Sequence, residues 1–183
     1  MPNVIVKILR DTDPCNPRTE WDNAGTMVCW HDRYQLGDKQ PSCNPQEYLD
    51  DLPEGTLVLP LYLYDHSGIT MSTGAFGCPW DSGQVGFIYA TPEVIQNEWG
   101  GDRKRAQEYL ENQVKVYDQF LTGDVWGFRV FEEQAKCECC DHQPEPEEVD
   151  SCWGFYGDCL EDIKAHLGPA LYKAAEAAWE DRQ

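Results

Sequence analysis

A short stretch in the last third of the chain concentrates soft metal ligands. Cys137, Cys139, Cys140 and His142 lie within six residues, and Cys152 follows a little later. Thiolates and imidazoles are the donors that tetrahedral Zn²⁺ takes. Adjacent and alternate cysteines, however, do not match the two-residue gap of the usual zinc sites and crowd the ligands. The segment therefore predicts either a zinc site at Cys137, Cys139, Cys140 and His142, with no other cofactor, or an exposed, reducible thiol loop.

A second group of reactive residue types stands in the middle of the chain. Asp65 and His66 occupy a predicted hairpin tip, and Cys78 lies in the turn before the next strand. Brought together, they would supply a nucleophile, a base and an orienting carboxylate, as in a thiol-dependent hydrolase. The same residue types are also favoured in β-turns for backbone reasons. Turn formation is the preferred interpretation, and the hydrolase is the alternative.

Acidic residues dominate the charge of the chain. The sequence has 33 Asp and Glu against 14 Lys and Arg, a formal net charge of −19. Such a surface repels nucleic-acid backbones and anionic membranes and attracts basic partners over about one Debye length, ~8 Å at physiological salt. Solubility, or adaptation to a salty habitat, explains the charge equally well. A carboxylate array can also stand in for phosphates on a surface that holds DNA, because steering and pairing with Arg and Lys depend on charge and geometry.

The acids expected to meet a basic partner lie in loops and at helix or strand ends. The early group is Asp11, Asp13, Glu20, Asp22, Asp32 and Asp38, and the late group is Glu132, Glu133, Glu138, Asp141 and Glu145–Glu148. The expected partner is a host nuclease or another basic nucleic-acid-binding protein. Neither direct nucleic-acid binding nor membrane binding is expected.

Aromatic residues are abundant, at 12% of the chain with seven Trp. Six Trp stand in or beside structured segments: Trp21, Trp30, Trp80, Trp99, Trp126 and Trp153. Most are expected in the core, since an acidic field disfavours base stacking. One or two left exposed near the acidic loops would be anchors for a protein partner.

The elements that position these residues are organised around Leu57–Tyr89. Apolar runs at Thr56–His66, Ile69–Thr73 and Gln84–Ala90, broken by Gly and Pro, predict adjacent antiparallel strands. Further strands are predicted at Asn3–Leu9 and Thr26–His31, and a last hairpin has the arms Val125–Phe131 and Val149–Tyr156. Pro60 predicts a bulge or an unpaired stretch, because it cannot donate to a ladder.

Helices are predicted where capping residues precede apolar residues at helical spacing. They are Gln46–Asp51 after Asn44, Pro92–Trp99 after Thr91, Asp102–Leu121, and a C-terminal helix interrupted at Gly168-Pro169. The pattern predicts one α+β domain over residues 1–183, with an antiparallel sheet of about six strands packed by the long central helix and the C-terminal helix. The Cys- and acid-rich insertion 132–148 should project from this domain.

The cellular setting is predicted from what the sequence lacks and from its thiols. The segment Met1–Arg10 does not have the pattern of a secretory signal, and no apolar run approaches the ~20 residues that span a membrane. Nine Cys is an odd number that suits reduced thiols or a metal better than a complete disulfide framework. A cytoplasmic location is therefore expected.

Five stretches carry a resemblance to a known family. They are Trp21-Asp22-Asn23 with Gly25–His31, Leu61–Gly68, Cys78–Val85, Leu121–Val125 and Asp150–Gly157. Together they resemble a family of small acidic proteins spread across phages and mobile elements, notably from gut bacteria. In size, acidity and mobile origin, this family is similar to anti-CRISPR proteins that block type II RNA-guided nucleases. The thiol-rich insertion at Cys137–Cys140 has no counterpart in that similarity.

The charge, the missing catalytic motif and the resemblance predict a binding protein and not an enzyme. We expect it to inhibit a defence nuclease in a bacterial host, a type II CRISPR effector first, by presenting an acidic, DNA-mimicking surface. The alternative is a thiol-dependent hydrolase using Cys78, His66 and Asp65, or a zinc-binding protein using the Cys137–Cys140 cluster.

Overall fold

The computed structural model describes residues 4–140 and 142–182. The chain is organised in two compact units: unit 1 combines Met1–Cys15 with Gly123–Gln183, and unit 2 is the continuous segment Asn16–Thr122. The prediction of one domain over residues 1–183 stays a prediction.

Within the part of the chain that the structure describes, seven strands and five helices make up the two units. The strands are β1 (Val4–Arg10), β2 (Thr26–Cys29), β3 (Leu57–Asp65), β4 (Ile69–Ser72), β5 (Ser82–Ala90), β6 (Val125–Glu132) and β7 (Glu147–Tyr156). The helices are α1 (Pro45–Asp50), α2 (Pro92–Trp99), α3 (Arg103–Thr122), α4 (Leu160–Leu167) and α5 (Tyr172–Glu180), with a single 3₁₀ turn at Pro169–Leu171.

The strands form two antiparallel sheets. Unit 1 has a three-stranded sheet in the order β1-β6-β7, and unit 2 has a four-stranded sheet in the order β2-β5-β3-β4. The predicted α+β class with antiparallel strands is thereby confirmed, although the sequence predicts one sheet of about six strands. The physical reason for the difference is that β1 pairs with β6, with Val4 opposite Glu132, and no local pattern specifies a pairing between such distant segments.

The core of unit 1 lies between its sheet and its two C-terminal helices. Alternate residues of β1 and β6, such as Val6, Ile8 and Phe128, are buried against Ile163 of α4 and Trp179 of α5. Lys7 points out of this core and is exposed, in keeping with the position of β1 at the edge of the sheet. A cleft of about 470 Å³ runs between β1 and α5.

The core of unit 2 lies between its sheet and α3. Leu61 and Leu63 of β3 are buried with Leu110 and Val114 of α3, which confirms the predicted apolar faces of both elements. The register between β3 and β5 shifts between Leu61 and Tyr62, next to Pro60, as predicted.

The predicted helix starts at Asn44 and Asp102 are also confirmed. The Asn44 side chain accepts a hydrogen bond from the Glu47 amide at 3.0 Å, in a reciprocal capping box. Asp102 accepts from the Lys104 and Arg105 amides at the start of α3. None of the helices within residues 4–140 and 142–182 combines the length and apolar character needed to cross a lipid bilayer.

The final hairpin is longer than predicted. Glu132 and Glu147 are paired strand residues, so the connection between the arms is residues 133–146 and not 132–148. Most of these residues are exposed, in keeping with an insertion that projects from the sheet.

Candidate functional site

Trp153 projects from unit 1 with 44% of its surface exposed. Strand β7 bulges at Gly154, whose φ is 84°, so that Trp126 lies opposite Phe155 and Gly127 opposite Trp153. Because the bulge shifts the side-chain alternation by one residue, Phe155 enters the core while Trp153 faces the other side of the sheet. A Cβ on Gly127 would lie 2.1 Å from Trp153 Cε3. The indole therefore rests directly on the β6 backbone.

Two carboxylates share a cleft with this indole. The cleft has a volume of about 360 Å³ and is lined by Asp11, Thr12, Asp13, Cys15, Trp153 and Gly154. The Asp11 amide donates to the Val125 carbonyl at 2.8 Å, and the Asp11 carboxylate accepts from the Asp13 amide at 3.0 Å. Carboxylates beside an indole form an environment that attracts an ammonium or guanidinium group.

Tyr156 holds the far end of this acidic segment. Its hydroxyl donates to the Cys15 carbonyl. Burial, with the charges of Cys15 and Asp11 nearby, raises the pKa of the Tyr156 phenol to about 12, so the phenol keeps its proton and remains a donor at neutral pH. The segment that carries the two acids is therefore fixed at both ends.

A second group of acids lies at the opposite end of the same sheet. Glu132 is paired with Glu147, and Gln134 Nε2 donates to Glu147 Oε2 at 3.0 Å. Arg129 donates to Glu148 and holds the pKa of that carboxyl below its usual range. At ~3.4 Å per residue along β6, the two acidic ends are about 24 Å apart.

The remaining late acids belong to the connection between β6 and β7. Glu133, Glu138 and Glu145 are exposed. Asp141, which the sequence also suggests as a partner contact, lies outside the described residues.

Unit 2 repeats the combination of an exposed tryptophan with neighbouring acids. Trp21 is 46% exposed, and the acids on either side of it, Glu20 and Asp22, are also exposed. Trp21 and Asp22 line a cleft of about 100 Å³ together with Asn23, Tyr109 and Asn112. Asp32 is exposed as well. The structure thus leaves the predicted early acids of unit 2 on its surface, Asp38 included.

Asp38 has an internal role in unit 2. The Arg18 side chain, only 1% exposed, donates to both Asp38 oxygens, and the Met27 amide donates to Asp38 Oδ2 at 2.7 Å. Arg18 also donates to the Gly25 carbonyl at 2.8 Å. These bonds tie a loop to the start of β2, and they occupy the carboxylate that the sequence suggests for a partner.

The proposed hydrolase residues come close together without forming a thiol–imidazole pair. The Cys78 thiol donates to Asp81 at 3.6 Å, and His66 Nδ1 lies 3.2 Å from the same carboxylate. Asp65 instead pairs with Arg33. The Cys78 thiol thus contacts a carboxylate and not an imidazole, so the geometry lacks the base contact that a nucleophilic cysteine needs. Trp80, next to Asp81, is 92% exposed.

The thiols of the hairpin connection do come together. The Sγ atoms of Cys137, Cys139 and Cys140 lie within 4.8 Å of one another, with 3.0 Å between those of Cys137 and Cys139. A hydrogen bond from Cys139, with further donors at Cys140, lowers the pKa of the Cys137 thiol to about 7. His142 accepts from the Cys137 amide through its carbonyl at 2.8 Å, but its ring nitrogens are not among the clustered ligand atoms. Three of the four predicted ligands are therefore adjacent.

The residues that position Trp153 could not be identified from the sequence alone. Gly127 and Gly154 enter the argument only once β6 and β7 are paired. The available signal is a glycine within each predicted strand, which often marks a bulge or a close approach.

Comparison of the chain with protein-family models, with curated proteins and with solved structures yields no match.

Proposed function

We propose that this protein acts by binding, and that it inhibits a basic nucleic-acid-handling enzyme by occupying the surface that holds DNA. A type II RNA-guided nuclease of a bacterial host is the first target class, as the family resemblance suggests. The observation that carries the proposal is the cleft in unit 1, where Trp153 is exposed beside Asp11 and Asp13.

This cleft has the composition of a protein-binding hot spot. Binding energy at interfaces concentrates in a few buried aromatic and Arg anchors surrounded by polar contacts. Trp153 offers an aromatic surface held in place by the β6 backbone, so little side-chain freedom remains to be lost on binding. The two carboxylates would receive an Arg or Lys side chain of the partner.

The wider charge supports the same proposal. The acids at the opposite end of the sheet, Glu132 and Glu147, extend the negative surface about 24 Å beyond the cleft. A basic DNA-binding groove would be attracted to this surface and steered onto it, more strongly at low ionic strength.

The test is cleavage of DNA by a panel of type II RNA-guided nucleases and restriction enzymes, with and without this protein, at two salt concentrations. We expect one target to be inhibited, with inhibition weaker at high salt. Inhibition of none of the enzymes would refute the proposed target classes, and inhibition that does not change with salt would refute the charge-driven mechanism.

The cleft itself is tested by Trp153→Ala. Loss of a hot-spot tryptophan costs about 2 kcal/mol of binding, or roughly 30-fold in affinity. Trp80→Ala is the matched control, because Trp80 is 92% exposed and belongs to unit 2. Equal effects of the two substitutions would contradict the assignment of the cleft.

A further inference from the structure

The connection between β6 and β7 is held in a defined shape. The paired residues Glu132 and Glu147 fix its ends. Within it, the Cys137 amide donates to the His142 carbonyl at 2.8 Å, and Gln143 Nε2 donates to the Gln134 carbonyl at 2.8 Å. The three cysteines whose side chains converge, Cys137, Cys139 and Cys140, lie within this connection.

The sulfur atoms of Cys137, Cys139 and Cys140 form a tight cluster. They lie within 4.8 Å of one another, and within residues 4–140 and 142–182 no other group of three Cys, His, Asp or Glu side chains comes as close together. The Cys137 and Cys139 sulfurs are in hydrogen-bond contact at 3.0 Å.

We infer that Cys137, Cys139 and Cys140 form a three-thiolate site for a soft, monovalent metal ion of the Cu(I) type. Thiolates select soft metals such as Cu(I) and Zn²⁺. Structural Zn²⁺ takes four protein ligands. Among the described residues of this connection three ligand atoms are adjacent, and the His142 ring is not one of them. Cu(I) accepts three ligands in a plane.

The observed spacing suits this coordination after small side-chain rotations. A metal–sulfur distance of ~2.3 Å places three trigonal sulfurs about 4 Å apart. The Cys137 and Cys139 sulfurs, now 3.0 Å apart, would separate by about 1 Å. Each thiol gives its proton to solvent as its metal–sulfur bond forms, so binding one Cu⁺ releases up to three protons and leaves a site of net charge −2. Cys139 and Cys140 are exposed, so the ion can enter from solvent and the released protons can leave to it.

The experiment is an anaerobic titration of the fully reduced protein with Cu(I) buffered by a chelator of known affinity that absorbs when it holds Cu(I). We expect one Cu(I) per chain to be withdrawn from the chelator, with a thiolate-to-copper charge-transfer band. Cys137→Ser, Cys139→Ser and Cys140→Ser should each weaken binding at least tenfold, while Cys15→Ser and Cys43→Ser should not. Circular dichroism of each variant confirms that the fold is retained.

Three outcomes would overturn the inference. One is a chain that takes no Cu(I) from the chelator. A second is binding that survives all three loop substitutions, which would place the metal elsewhere. The third is a parallel titration in which Zn²⁺ binds one per chain and His142→Ala abolishes that binding, because this result would establish the four-ligand zinc site.

Discussion

The two units carry almost the same charge but use their acidic residues differently. Each has seven basic residues, with seventeen acidic residues in unit 1 and sixteen in unit 2. In unit 2, Asp38 holds a buried arginine, and Asp118 accepts from the Thr70 hydroxyl at 2.6 Å and the Met71 amide at 2.7 Å. In unit 1, Asp11 and Asp13 line an open cleft. Net charge alone does not separate these two roles.

This difference in the use of acidic residues follows from how they lie at the edge strand of each sheet. Strand β4 is an edge strand of unit 2, and Asp118 of α3 satisfies its free Met71 amide. The Asp118 carboxylate therefore completes the backbone hydrogen bonding of the edge strand β4. Strand β7 is an edge strand of unit 1, and its exposed acids, Glu147 and Asp150, face solvent. Such charges keep an edge strand from pairing with another chain and leave it available to a basic partner.

The largest expected effect is that of Asp38→Ala. It leaves the guanidinium of Arg18 buried without its carboxylate, which should lower the free energy of unfolding by about 3 kcal/mol. Urea denaturation followed by tryptophan fluorescence measures this loss. Asp22→Ala, an exposed acid of the same unit, should change stability by less than about 0.5 kcal/mol. Similar values for the two variants would remove the distinction between internal and open acids.

Asp118→Ala should have the next largest effect. It removes the acceptor of the Thr70 hydroxyl and the Met71 amide, and we expect a loss of about 2 kcal/mol. Asp118→Asn keeps one acceptor oxygen and should recover part of that loss. As a control on the same helix, Glu108→Ala breaks only the exposed pair with Lys104 and should cost about 0.4 kcal/mol. A larger loss for Glu108→Ala than for Asp118→Ala would contradict this account of the β4 edge.

The double variant Asp11→Asn with Asp13→Asn should weaken inhibition while leaving the stability of the fold almost unchanged. Asn keeps the oxygen that accepts the Asp13 amide, so stability should change by no more than about 0.5 kcal/mol. Inhibition of the target should nevertheless weaken roughly tenfold at low salt, and less at high salt, because two partly exposed charge pairs are lost. Glu54→Gln with Glu98→Gln removes the same charge from exposed positions of unit 2. If it weakens inhibition equally, total charge and not the cleft determines binding.

The smallest expected effect is a difference in the alkylation of two single thiols, one in each unit. Cys137 of the metal-free, reduced protein has a pKa lowered to about 7 by its hydrogen bond from Cys139, whereas burial raises the pKa of Cys29 in unit 2 to about 12. Since the thiolate reacts, alkylation of Cys137 by iodoacetamide should rise through pH 7 and level off above it, while Cys29 stays unmodified. Peptide mass spectrometry measures both rates. A Cys137 midpoint near the ordinary value of 9.0 would contradict the described thiol contacts.

Local chemistry explains why the elements could be predicted from the sequence. Asn44, Thr91 and Asp102 cap helices at their predicted starts, because a cap is decided within four residues. The aromatic arms of the last hairpin pair as expected. The division into two sheets could not be predicted, because it depends on β1 pairing with β6, a long-range choice that leaves no local pattern.

Only part of the candidate site could be predicted from the sequence. The acids and the clustered cysteines are visible as residue types, and the cysteines do cluster. The contact of Arg18 with Asp38 joins two loops, and the seating of Trp153 on Gly127 requires the strand register. Both depend on tertiary structure, which one-dimensional spacing does not encode.

The pairing of β1 with β6 also sets an order of events during synthesis. Val4–Arg10 leaves the ribosome before its partner, Val125–Glu132, which follows more than a hundred residues later. At ~5–20 residues per second the wait is roughly 6–25 s, long enough for the continuous unit 2 to fold first. During that time an apolar strand is without its neighbour. Lys7, an exposed charge in the middle of that strand, is of the type that disfavours pairing of such a strand with other unfinished chains.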